Sequence, residues 1–155
     1  MTNECEMATA TSSLSDLLSR SASGISHHSV AKRTEFTNTR NTPIEALERA
    51  FPMRVLRYGL RRGSGGAGSA PGGDGIARDL VMLEDVTVSL ITERRSSRPW
   101  GLWGGEPGAP GENWLLRGGI AAGAERLPDK CTVRLQAGDV LRMLTPRGGG
   151  FGAVT

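Results

Sequence analysis

Asp74 and Glu106 are the carboxylates best placed by sequence to accept a proton or orient a ligand, because each lies within a run of glycines. Asp74 sits in Gly72-Gly73-Asp74-Gly75, and Glu106 in Gly104-Gly105-Glu106-Pro107-Gly108. Arg61, Arg62 and Arg94 flank the same runs, and a guanidinium fork can grip a carboxylate or phosphate through two parallel hydrogen bonds. Glycine runs also leave backbone N–H groups uncovered, and such groups can hold an anion or polarise a carbonyl oxygen. Each candidate has a structural reading beside the chemical one. Asp74 is a turn former in Gly-Asp-Gly, and Arg94 is an ion-pair partner for Glu93 or Asp85.

Other chemistries find little support. A Ser-His-Asp or Cys-His site needs a histidine, and the two present, His27 and His28, stand side by side in a Ser-rich segment with no carboxylate near. No spacing gathers His, Cys and carboxylates into a metal set, so no metal ligand is assigned. Cys5 and Cys131 are isolated, which makes neither a disulfide framework nor a zinc site, and Cys131 reads as a small core residue. Gly63-Ser64-Gly65-Gly66-Ala67-Gly68 matches G-x-G-x-x-G letter for letter. It lacks the lysine of a phosphate loop, and a strand pattern follows it where a dinucleotide fold has a helix. The whole stretch from Leu60 to Gly75 reads either as a flexible Gly/Ser linker or as an ordered loop, since Arg61, Arg62, Pro71 and Asp74 are not linker residues.

The elements that must position these residues follow from the apolar pattern. Thr42-Pro43-Ile44-Glu45 starts a helix: Thr42 caps the N–H of Glu45, Glu45 reaches back, and Pro43 takes the first helical position. Pro52 ends it. Leu56, Tyr58 and Leu60 alternate with arginines, and Ile76–Leu83 and Val86–Thr92 are β-type runs joined at Glu84-Asp85. In the second run Val86, Val88 and Leu90 face one way and Thr87 and Ser89 the other. Trp114-Leu115-Leu116 is a short strand, and 131–135 and 140–144 are two strands joined by a turn at Gln136–Asp139. The expected fold is mainly β with one short helix (α+β), with short antiparallel strands carrying long glycine-rich loops. Residues 1–35, with one weak amphipathic turn at Leu14–Leu18, are expected to be a disordered low-complexity segment before a glycine-rich β region at 36–155.

Composition narrows the partners. The net charge is only +3, and the arginines are dispersed among carboxylates rather than massed with aromatics, which argues against nucleic acid. No apolar run approaches the ~18 residues of a membrane span. The acidic N-terminus carries no secretory signal, so the expected location is cytoplasmic.

Several motifs in order carry a resemblance. Asn38-Thr39-Arg40-Asn41-Thr42-Pro43-Ile44-Glu45, the glycine runs at 63–68 and 72–75, Thr92-Glu93-Arg94-Arg95, Pro99-Trp100-Gly101, 104–108, Gly138-Asp139-Val140 and Gly148-Gly149-Gly150 resemble consecutive signatures of the hydantoinase B/5-oxoprolinase family. The resemblance spans about residues 36–152 and corresponds to the C-terminal region of much longer B-type subunits. It departs at Thr34-Glu35-Phe36-Thr37, where the family reads Thr-His-Met-Thr, and at Ser69-Ala70-Pro71, where basic and aromatic residues are usual. The family implies ATP-dependent hydrolysis of cyclic amides such as hydantoins and 5-oxoproline. It also implies a divalent metal and ATP in the full complex, none of them held by this chain. The implied partner is an A-type subunit or the missing upstream part of the B-type subunit. On that basis Arg40 and Arg94 are candidates for substrate or anion binding and Asp74 and Glu106 for catalysis, and the chain alone is expected to be inactive. The alternatives are a non-catalytic glycine-rich docking module and a nonfunctional gene fragment.

Overall fold

A computed structural model describes residues 43–153. Thr42, Arg40, the histidine pair, the Leu14–Leu18 turn and the segment 1–35 lie outside the described residues. Helix α1 (Ile44–Ala50) begins one residue later than the capping pattern implies. Pro43 stands before the first helical residue, with an extended ψ of 143°. Its carbonyl accepts the Ala46 and Leu47 N–H groups, both at 3.1 Å. Leu47 is the helix's buried residue. Glu48 reaches forward to accept the Val55 N–H at 2.8 Å, which ties α1 to the strand that follows.

Seven strands follow: β1 (Met53–Arg61), β2 (Gly75–Met82), β3 (Val86–Ile91), β4 (Glu112–Leu116), β5 (Glu125–Leu127), β6 (Lys130–Leu135) and β7 (Val140–Leu144). One sheet has the order β1-β2-β7-β4-β5, and β3 and β6 form a second. Every strand pair is antiparallel. The fold is therefore mainly β with antiparallel sheets and one short helix, as the sequence leads one to expect. β5 carries no signal, since Glu-Arg-Leu is too short and too charged to read as a strand.

The turn at Gln136–Asp139 does not close a hairpin, because β6 pairs with β3 and β7 pairs with β2 and β4. It faces the β2–β3 joint instead: Met82 N–H donates to the Asp139 carbonyl at 2.9 Å, and Gly138 N–H donates to the Met82 carbonyl at 2.8 Å. Two paired strands thus turn the same corner together and lay the small sheet over one face of the large one. Asp139 holds this corner by accepting from Gln136 N–H, Gly118 N–H and the Arg117 guanidinium. The core between the sheets is built from Leu80, Met82, Leu115, Leu141 and Met143 on one side and Val86, Val88, Leu90 and Leu135 on the other. β3 keeps the expected alternation, with Val86, Val88 and Leu90 buried. On the far face of the large sheet, Arg142 grips the buried Asp79 with two hydrogen bonds of 2.9 and 3.0 Å.

Candidate functional site

In an antiparallel sheet of this order, the end of β1, the start of β2, the end of β7 and the start of β4 share one edge. The three glycine-rich segments at 62–74, 94–111 and 147–153 leave from that edge, so they must meet. They meet through their backbones. Gly66 N–H donates to the Gly148 carbonyl at 3.0 Å, and Glu106 N–H to the Ala67 carbonyl at 2.7 Å. Gly150 N–H donates to the Glu106 carbonyl at 2.8 Å, and Leu102 N–H to the Gly150 carbonyl at 2.9 Å. Ala70 and Phe151 exchange N–H···O bonds of 3.0 and 2.9 Å.

The approach is so close that side chains have no room. A Cβ on Gly66 would stand 2.0 Å from the Glu106 carbonyl oxygen, one on Gly150 2.1 Å from that of Ala67, and one on Gly149 2.0 Å from that of Trp100. These glycines are required by contact distance, not by chain flexibility, and the linker reading of 60–75 does not hold. The idea of a free N–H cradle also needs correcting. Ser64 and Gly65 N–H groups donate to Asp74 Oδ1 and Gly66 N–H to Gly148, so the central donors of the G-x-G-x-x-G stretch are spent on the protein itself.

Asp74 is the tie of the first loop. Its carboxyl is held below the usual value of 3.8, chiefly by the Ser64 N–H, against the opposing push of burial. Glu106 contributes its backbone to the cluster while its side chain is exposed. Arg94 has a left-handed φ of 57°, and its guanidinium lies 5.0 Å from the centre of the Trp100 ring. It pairs with neither Glu93 nor Asp85: Glu93 meets Lys130 at 3.7 Å, and Asp85 accepts the Ala137 N–H at 3.1 Å. No hydrogen bond links Asp74, Arg94 and Glu106 to one another, and Arg40 lies outside the described residues. Trp100 and Trp103 are 63% and 81% exposed, and Trp103 also has a left-handed φ, 53°.

Sequence reasoning missed the buried polar centre beneath these loops. Arg95 donates to Asn113 Oδ1 through Nε at 3.2 Å and Nη2 at 3.0 Å, and to the Glu93 carbonyl at 2.7 Å. Asn113 Nδ2 donates to Thr92 Oγ1 at 2.9 Å, and Thr92 Oγ1 donates to the Asp129 carbonyl at 2.8 Å. Burial pushes the Arg95 guanidinium down to about 10. A signal existed, since Thr92 continues the inward series Val86, Val88, Leu90. Arg61, at the end of β1, pairs with Glu112 and donates to the Pro110 carbonyl at 3.1 Å, bracing the second loop against the sheet. Among the described residues no group of three or more His, Cys, Asp or Glu side chains is placed to hold a metal ion. No helix among them is long and apolar enough to cross a membrane.

The family model described as Hydantoinase B/oxoprolinase matches residues 21–154. The match starts upstream of Phe36, in the Ser-rich segment where no motif is visible. The chain is 44% identical over 119 residues to 5-oxoprolinase 1 of Arabidopsis thaliana, covering 76% of this chain and 9% of that protein. It is 35% identical over 120 residues to a D-/L-hydantoinase B-type subunit of a Pseudomonas species, covering 77% of this chain and 20% of that one. An ATP-dependent caprolactamase from Pseudomonas jessenii superimposes with a TM-score of 0.62 at 26% identity, over 72% of this chain and 20% of that one. The chain thus spans no more than about a fifth of the length of these curated relatives.

Proposed function

Because the chain belongs to the hydantoinase B/oxoprolinase family, we propose that it serves as the glycine-braced part of a B-type subunit in ATP-dependent hydrolysis of cyclic amides, hydantoins and 5-oxoproline among them. The observation that carries this reading is the cluster at 62–74, 94–111 and 147–153, whose backbone packing sets the chain positions of the half-buried Arg94 and the exposed Trp100 and Glu106. Opening a cyclic amide needs an activated nucleophile, a proton donor and an oxyanion stabiliser in mutual geometry. Arg94 suits binding or charge stabilisation, and the exposed Glu106 side chain can reach a ligand at the loop surface. Asp74 acts on the reaction by holding the loop. The family's divalent metal does not fit the described residues, because their carboxylates are dispersed or already engaged. Nucleophile activation and ATP use then fall to an A-type subunit or to further B-type sequence.

The test is complementation. A B-type subunit lacking this region, mixed with its A-type subunit, ATP and 5-oxoproline or a hydantoin, should regain turnover when the 155-residue chain is added. Arg94→Ala should lower the restored rate and His27→Ala should leave it unchanged. Turnover by the purified chain alone would overturn the division of labour.

A second reading is a docking module without a share in the chemistry, and the exposure of Trp100 and Trp103 favours it. In that case Arg94→Ala would weaken assembly but leave the rate per assembled complex intact.

A further inference from the structure

Arg147 is only 7% exposed, and its Nε has no hydrogen-bond partner among the described residues. None of the ion pairs among those residues includes it. Its stem lies over Gly75, where a Cβ would stand 3.1 Å from Arg147 Cγ. Gly75 is the direct partner of Arg61 across β1 and β2, and directly opposed residues project from the same face of a sheet. Arg61 and Arg147 therefore share one patch at the loop edge.

Neither neighbouring carboxylate forms an ion pair or hydrogen bond with Arg147. Asp74 Oδ1 accepts from Ser64 and Gly65. Glu112 takes Arg61 through one oxygen and the Trp114 indole N–H, at 2.9 Å, through the other. Burial, with the repulsion of Arg61, pushes the Arg147 guanidinium down to about 10, which still leaves it charged at neutral pH. A buried guanidinium with an unused donor is costly unless an acceptor meets it. Gly73, whose carbonyl takes the Gly148 N–H, is exposed, so solvent lies close to the site.

We infer that Arg147, backed by Arg61, is a binding site for a small carboxylate monoanion. A planar carboxylate matches the guanidinium fork. The flanking Asp74 and Glu112 favour a single negative charge over the near-double charge of phosphate. The site belongs to this chain and does not depend on its having a hydrolase role.

The experiment titrates the 155-residue chain with sodium acetate at constant ionic strength set by sodium chloride, following the Arg147 Nε–Hε resonance and the Tm. The expected result is a saturable shift of that resonance and a rise in Tm, with sodium phosphate acting more weakly. Arg147→Met should abolish the acetate dependence and melt higher than the wild type when acetate is absent, since an unmatched buried cation has been removed. A purely packing role predicts a lower Tm for that variant in all buffers, and this would overturn the proposal. So would a linear, non-saturating shift, saturation by phosphate alone, or acetate dependence that survives in Arg147→Met. The resonance titration on the wild type decides the matter even if the variant does not fold.

Discussion

Asp74 Oδ1 accepts the Ser64 N–H at 2.9 Å and stands 2.9 Å from the Ser64 hydroxyl, closing a loop whose ends lie ten residues apart. The hydroxyl also meets the Arg61 carbonyl, so its single proton serves one acceptor at a time.

This closure predicts an acid limb. The folded carboxyl of Asp74 lies below the 3.8 of the unfolded chain, so its contribution is complete above that value and is lost as pH falls through the folded value. Asp139 shifts in the same direction: burial is the largest single influence and pushes its carboxyl up, but the Gln136, Gly118 and Arg117 donors together outweigh it. Urea midpoints should fall between about pH 5 and about pH 2, and Asp74→Asn should show a shallower fall. An identical pH profile for the variant would rule out the tie.

The glycines should divide sharply by position. Gly66→Ala forces a Cβ against the Glu106 carbonyl and should cost about 1–3 kcal/mol or more. Gly73→Ala meets nothing within 4 Å and has no left-handed φ. It should be neutral or stabilise by about 0.4–1 kcal/mol. Chemical denaturation of both variants checks the contrast, which similar values would remove.

Asn113→Leu leaves two guanidinium donors of Arg95 without their acceptor and removes the N–H donated to the Thr92 hydroxyl, which keeps its bond to the Asp129 carbonyl. A loss of about 3 kcal/mol is expected. Arg94→Ala, one residue away from Arg95, should cost well under that, because its guanidinium only covers an exposed indole. Tm values for the two variants should therefore separate clearly.

Trp103→Gly should raise the Tm or leave it unchanged. The residue is 81% exposed, and its φ of 53° suits glycine better than any side chain with a Cβ. If Trp103 docks a partner, the same variant should weaken complementation, which size-exclusion chromatography of the mixed subunits would detect.

Much of the scaffold was legible because it rests on local patterns. The β3 alternation, the β-branched runs and the turn residues near 84 and 137 all reappear in the structure. The loops were legible only as glycine. Their partners are other glycine segments far along the chain, and backbone-to-backbone pairing leaves no side-chain pattern to read. The choice of Arg94 over Arg95 shows a subtler limit. Continuing the inward series from Thr92 puts position 94 inside, but the left-handed φ at Arg94 reverses the alternation and Arg95 turns inward instead. β5 escaped because its three residues form a strand only beside β4.

The glycine cluster also has a consequence at the level of the gene. Every change in the first or second base of a glycine codon either adds a side chain or stops translation. At Gly66, Gly149 and Gly150 any added side chain meets a carbonyl oxygen about 2 Å away. Silent third-base changes are the only single-base steps open to these codons that keep the three segments in register.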